Sequence, residues 1–295
     1  MTPPRHMPYD GSSKLFQIGL KPLDAADWID VDEKLVPYLD EKERLIGQTL
    51  GEVFVAEAGT EPAQNEVLRL LAEHLPERFP AQYRRDGETI EIAGRRIDLS
   101  VEPSLLTAAR MVQEDLIVMQ RDAAGWRLTS GVVCFPSSWR LQDKFGRPVE
   151  EIHAPVPGFG PGTRPAELIA RMFDNLRPEQ PMIRWNWSLY GDDVLPHPLP
   201  SPAARRYGQG ERADHVFLRI ERQTLRRLPD TGAILFTVRI GIDPLDALER
   251  HPSRGAIAQA LTRQLWELDD AQLDYKGMTT ERERLVQRFA EIAAI

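Results

Sequence analysis

Three alternating apolar and polar runs late in the chain, at 182–190, 214–226 and 233–242, constrain the fold most. Successive side chains of a strand point to opposite faces, so each run presents two different surfaces. In the first, Ile183, Trp185, Trp187 and Leu189 share one face, and Arg184, Asn186, Ser188 and Tyr190 the other. In the second, His215, Phe217, Arg219, Glu221 and Gln223 oppose Val216, Leu218, Ile220 and Arg222. In the third, Ile234, Phe236, Val238, Ile240 and Ile242 oppose Thr237 and Arg239. Pro229-Asp230-Thr231-Gly232 has the turn chemistry that makes the last two runs an antiparallel hairpin. Asp115–Gln120 and Trp126–Phe135, on either side of Arg121-Asp122-Ala123-Ala124-Gly125, predict a second hairpin. The sheet expected is therefore antiparallel, with about five strands.

Helical spacing surrounds these strands. A helix is expected to start near Asp40, and others to cover 64–77, 103–113, 164–176, 255–268 and 280–294. Residues 89–99 suit a short hairpin around Ala93-Gly94. Asp243-Pro244 offers an N-cap and a first-turn proline, and Thr280-x-x-Glu283 fits a capping box. Strands with helices before, between and after them give an α+β fold. Residues 1–14 read as a flexible leader and 15–295 as a single domain, with no linker-like or repeated segment. Hydrophobic residues make up 42% and charged residues 28%, an ordinary globular balance.

Charged residues inside strands that otherwise read as core narrow the chemistry. A buried unpaired charge is costly, so such groups are paired, bind a ligand, or lie on the solvated face of an antiparallel sheet. The net charge of −8 argues against a nucleic-acid backbone as the main partner. Cys134 is the only cysteine, which excludes an intrachain disulfide and a cysteine-built zinc or iron–sulfur site. The Cys-x-x-Cys-His attachment motif is absent, so a haem would be held non-covalently. Phosphate-loop, dinucleotide, His-Glu-x-x-His and Gly-x-Ser-x-Gly motifs are also missing. There is no apolar run of about 18 residues and no signal-peptide core, so a cytoplasmic location is expected.

The segment 147–158, Arg-Pro-Val-Glu-Glu-Ile-His-Ala-Pro-Val-Pro-Gly, places His153 beside Pro155 and Pro157. Prolines fix their own φ and bias preceding residues towards extension, so a stiff, strand-like arm is expected. A preset imidazole there suits axial ligation of haem iron or other metal chemistry; equally, it could be a buried histidine bonded to a carbonyl. Arg140, Arg184, Arg219, Arg222 and Arg239 are candidates for pairing with an anionic cofactor such as the haem propionates. His215 is the second-choice iron ligand, and Cys134 in Val132-Val133-Cys134-Phe135 reads as strand core. His74 reads as structural or surface, and His197 as a surface loop residue.

Four local patterns occur in order: Cys134-Phe135-Pro136-Ser137-Ser138-Trp139, Ile152-His153-Ala154-Pro155-Val156-Pro157-Gly158, Arg184-Trp185-Asn186-Trp187-Ser188-Leu189, and Leu218 to Pro229. Together they resemble the haem-dependent oxidative N-demethylase family, which includes the haem subunit of dimethylamine monooxygenase-like systems. The likeness runs from about Gly19 to Leu248. It implies a PAS-like fold with b-type haem, His153 as proximal ligand and dioxygen bound opposite. It implies oxidation of a methyl group on a secondary amine, releasing formaldehyde. Electrons would come from NAD(P)H through flavin and iron–sulfur components on partner reductase subunits. Glu221 would anchor the substrate ammonium or relay protons, and Arg222 would hold a substrate carboxylate or a propionate. The two lie on opposite strand faces, so only one faces the substrate unless a bulge intervenes. A haem-based gas or redox sensor and a haemless PAS-like binding module are the alternatives.

Overall fold

The computed structural model describes residues 4–123, 125–199 and 205–295. In chain order its elements begin with β1 (Lys21–Pro22), α1 (Leu35–Val53), β2 (Phe54–Ala56) and α2 (Glu61–Arg78). Next come β3 (Tyr83–Asp86), β4 (Thr89–Ile92), β5 (Arg95–Asp98), α3 (Ser104–Ala109), β6 (Asp115–Asp122) and β7 (Gly125–Val132). The helices α4 (Leu141–Lys144), α5 (Val149–Ile152) and α6 (Arg164–Asp174) lead to β8 (Met182–Tyr190), β9 (Phe217–Arg227) and β10 (Ile234–Pro244). The helices α7 (Arg254–Glu267), α8 (Asp270–Tyr275) and α9 (Arg282–Ala294) follow.

The fold is α+β. The five long strands expected from alternation lie side by side as β8-β9-β10-β6-β7, every neighbour antiparallel. The short strands β1 and β2 extend this to a seven-stranded sheet. Both of the expected long hairpins form, although Ala124 in the β6–β7 turn lies outside the described residues. The expected hairpin at 89–99 also forms, as β4 and β5, and β3 joins it in a separate three-stranded sheet. Its turn residues Ala93 (φ 50°) and Gly94 (φ 78°) are both left-handed, the geometry whose twist suits a two-residue connection.

Helix ends follow the capping chemistry in part. Thr163 Oγ1 accepts the Ala166 N–H (3.3 Å) at the start of α6, with Pro165 in its first turn. The capping box expected at Thr280 and Glu283 does not form, and α9 instead begins after Glu281. The buried Glu281 carboxylate accepts the Arg205 N–H (3.0 Å) and pairs with Arg284. A capping box exists one helix earlier, between Asp269 and Gln272. The proposed helix start at Asp243-Pro244 is also corrected. Strand pairing with β9 carries β10 through Pro244, and a 3-10 turn follows.

Three apolar clusters hold the elements together. The largest packs α1, α2, α3 and the small sheet against one face of the main sheet. A second joins β8 and β9 to α7 and α9, and a third lies under α4 to α6. Part of the segment read as a leader belongs to the second cluster. Tyr9 is fully buried, its ring 6.3 Å from Trp187, and its carbonyl accepts the Gln264 amide (3.0 Å). Residues 1–3 lie outside the described residues.

Candidate functional site

Between the main sheet and the segment carrying α4 to α6 lies a cavity of about 1170 Å³. This is above the roughly 300–1,000 Å³ usual for small-molecule sites. Its floor is the polar face of β8 (Arg184, Asn186, Ser188, Tyr190) with Glu221, Gln223 and Leu225 of β9 and Phe236 and Val238 of β10. Register places Arg184 opposite Gln223 and Asn186 opposite Glu221. His153, Phe159, Ile169 and Phe173 line it from the α5–α6 side. Phe16, Ile18 and Leu20 come from near the start of the chain, and Asp274 to Gly277 from the end of α8. The alternating polar face therefore lines an interior space.

His153 lines this cavity, but the expected extended arm is not what holds it. Pro148, at φ −59°, precedes the single helical turn α5, and His153 caps that turn in the right-handed helical region. Pro155 and Pro157 restrict only Ala154 and Val156, the residues directly before them, so His153 can close the helical turn that follows Pro148. The ring is fixed by its own turn, with Nδ1 2.7 Å from the Val149 carbonyl. A carbonyl only accepts, so Nδ1 carries the proton and the Nε2 lone pair is left for another partner. Burial lowers the imidazole pKa to about 4, with Lys144 and Arg184 adding to the effect and the Val149 bond opposing it. The ring is neutral at pH 7, the form in which imidazole ligates a metal.

Glu221 sits on the floor among fixed donors. Its Oε2 accepts Nε2–H of Gln223 (2.6 Å) and Nδ2–H of Asn186 (3.3 Å). Burial alone would raise its pKa, yet Lys276, the Ser137 hydroxyl, Asn186 and Arg219 hold it below the ordinary carboxylate value. Lys276 Nζ donates to Ser188 Oγ (2.8 Å), the Trp187 carbonyl (2.9 Å) and Asn186 Oδ1 (3.4 Å). This last bond fixes the Asn186 amide so that its N–H faces Glu221. Lys144, whose Nζ lies 4.7 Å from the Trp139 ring centre, is a further lining cation. Burial lowers both lysines to about 8, with Glu221 opposing the shift. Sequence reasoning missed both, because Lys276 lies in a Tyr-Lys-Gly turn and Lys144 in a one-turn helix. Neither position carries a periodic signal.

The other candidates divide. Arg184 lines the cavity, and so does Arg140, which is exposed and paired with Asp143 (3.1 Å). Arg219 shares the Glu221 face but does not line the cavity. Its guanidinium is spent on Ser137 Oγ (2.9 Å) and on the carbonyls of Phe135 (3.0 Å), Pro136 (3.2 Å), Val194 (3.2 Å) and Leu195 (2.8 Å). Arg222 and Arg239 are register partners on the opposite sheet face. Arg222 donates to the Asp27 and Trp28 carbonyls, and Arg239 pairs with Asp32 (2.8 Å) beneath the Tyr38 ring. Strand alternation turns both away, so neither faces a ligand in the cavity. His215 is exposed just before β9 and does not line the cavity either. Cys134 is buried, its thiol pushed up to about 12 by burial, and it packs as core. His74 packs edge-on against Trp28 (5.4 Å), and His197 bonds Asp192 (2.8 Å).

Residues 19–286 match the family described as haem-dependent oxidative N-demethylase, alpha subunit-like. The chain belongs to this family. The description of this N-demethylase family is that of one subunit among several, dependent on haem. The cavity's donor set fits that group. It offers a neutral imidazole with a free Nε2, apolar walls from Ile117, Met119, Ile169 and Phe173, and cationic side chains of the kind that pair with propionates. No helix among the described residues is long and apolar enough to cross a membrane.

Proposed function

We propose that this chain is the haem-bearing catalytic subunit of an oxidative N-demethylase acting on a secondary amine. His153 would hold the haem iron through Nε2, and Glu221 would anchor the substrate ammonium. One observation carries the reading: the imidazole whose tautomer leaves Nε2 free lines the same cavity as an ionised carboxylate held by amide donors. Bound haem would supply dioxygen activation, the chemistry that belongs to the cofactor. One oxygen atom enters the N-methyl group, and the other leaves as water with two electrons and two protons. The carbinolamine then breaks its C–N bond to give formaldehyde and the demethylated amine.

The chain's own residues orient and exclude. Val149 holds the His153 ring, Glu221 sets the amine nitrogen, and the apolar roof keeps water from the reacting carbon. The haem is b-type and non-covalent. Electrons would be supplied by NAD(P)H through flavin and iron–sulfur groups on partner subunits, in the cytoplasm. The test is an absorption spectrum of purified protein, oxidised, reduced and with a secondary amine added. A Soret band that shifts with amine is expected, and His153→Ala should lose most of the haem or change its spin state. Unchanged haem content and spectrum in that variant would overturn the assignment of His153. A Soret band that responds to gases and not to amines would favour a sensor.

A further inference from the structure

Among the described residues, four cations of the cavity wall form no ion pair. Lys144, Arg184, Arg206 and Lys276 all line it. Among the described residues their polar partners are neutral. Lys144 reaches the Ile152 carbonyl (3.4 Å), Arg184 that of Gln17 (3.2 Å) and Arg206 that of Lys276 (3.1 Å), while Lys276 is held as above. Most lining carboxylates are engaged elsewhere. Asp143 pairs with Arg140 and Glu151 with Arg147, Asp115 accepts the Cys134 and Phe135 amides, and Asp274 is exposed. Glu221 and two haem propionates can pair with three of these four cations, so one remains to meet an anion that a ligand brings beside its ammonium.

Arg184 is the cation placed for that anion. Its Nε is buried with no hydrogen-bond partner. Arg206 also has an unpartnered Nε, but its guanidinium stacks on the Tyr190 ring, 4.4 Å from the centre. Arg184 stands opposite Gln223, and two residues along the same face Asn186 stands opposite Glu221. Diagonal neighbours on a sheet face are about 7–8 Å apart at the backbone, within reach of long side chains. A guanidinium and a carboxylate on that diagonal can converge on groups separated by a single carbon atom.

Resting on the N-demethylase reading above, we propose that the substrate is an N-methylated amino acid, its secondary ammonium held by Glu221 and its carboxylate by Arg184. A guanidinium is suited to this, since it offers a carboxylate two parallel donors. The reaction is unchanged; the far end of the substrate is what Arg184 specifies.

The experiment titrates haem-loaded protein with dimethylamine and with N-methylglycine at pH 7, following the Soret shift. N-methylglycine is expected to bind at least ten-fold more tightly. Arg184→Gln should abolish that preference by weakening N-methylglycine at least ten-fold, while haem is retained and dimethylamine binds no more weakly than to the parent. Arg184→Lys, which keeps the charge but loses the paired donors, should keep part of it. Equal or tighter binding of dimethylamine by the parent protein would overturn the proposal. Loss of haem with equal weakening of both amines in Arg184→Gln would assign the arginine to a haem propionate and also overturn it. Should Arg184→Gln not fold, an unchanged preference in Arg184→Lys would do the same. If neither amine moves the spectrum of the parent, the N-demethylase reading itself fails and takes this proposal with it.

Discussion

Replacing Arg219 with methionine separates a structural clamp from a cofactor anchor. The side chain is 1% exposed and makes five hydrogen bonds, four to backbone carbonyls and one to Ser137 Oγ. These tie the Phe135–Ser137 turn to Val194 and Leu195. A hydrogen bond from a charged donor contributes about 1.5–3 kcal/mol, but the buried guanidinium also carries a desolvation penalty that its removal relieves. Water would satisfy some of the stranded carbonyls. The balance is a loss of about 3–5 kcal/mol, the range for removing one member of a buried charged network. That is a large share of the roughly 5–15 kcal/mol that holds a typical domain folded. Urea unfolding of haem-free protein should show a lower midpoint with an unchanged slope. A loss below about 1 kcal/mol in the haem-free protein, with haem affinity falling sharply, would refute the clamp and make Arg219 a propionate anchor.

Further outcomes follow from the same site. Glu221→Gln should retain haem but bind secondary amines at least ten-fold more weakly by spectral titration, an effect of about 1.4 kcal/mol or more. Unchanged titration would place the ammonium elsewhere. Lys144 and Lys276 are lowered to about 8 by burial, so both lose charge as pH rises above 8. Retention of haem, and of any carboxylate ligand, should therefore weaken between pH 8 and pH 10, and a flat profile there would contradict it. The stability of the haem-free fold should move the other way over that interval, because the unfolded chain still holds those protons.

The sheet was legible because two signals agreed. Period-two alternation fixed which residues share a face, and Pro229–Gly232 marked the turn that joins β9 to β10. The same alternation correctly separated Glu221 from Arg222. It placed Arg219 on the Glu221 face as well, but could not reveal that the 135–137 and 194–195 segments cover that end of the strand. Edge strands of two and three residues are too short for any periodic signal. His153 was recognised for a reason that proved incomplete. Two downstream prolines suggested extension, whereas the upstream Pro148 started a helical turn. The cavity itself was invisible, since its walls come from segments brought together only by tertiary packing.

That packing has a consequence for the order of assembly. Phe16 and Tyr275 meet edge to face, 5.9 Å apart, and both line the cavity from opposite ends of the sequence. During synthesis the sheet and its roof emerge from the ribosome first, and the pocket stays open on one side until residues near 275–280 appear. A chain ending before α8 would lack the wall that Asp274 to Gly277, Thr279 and Thr280 build, and would leave the polar floor open on that side.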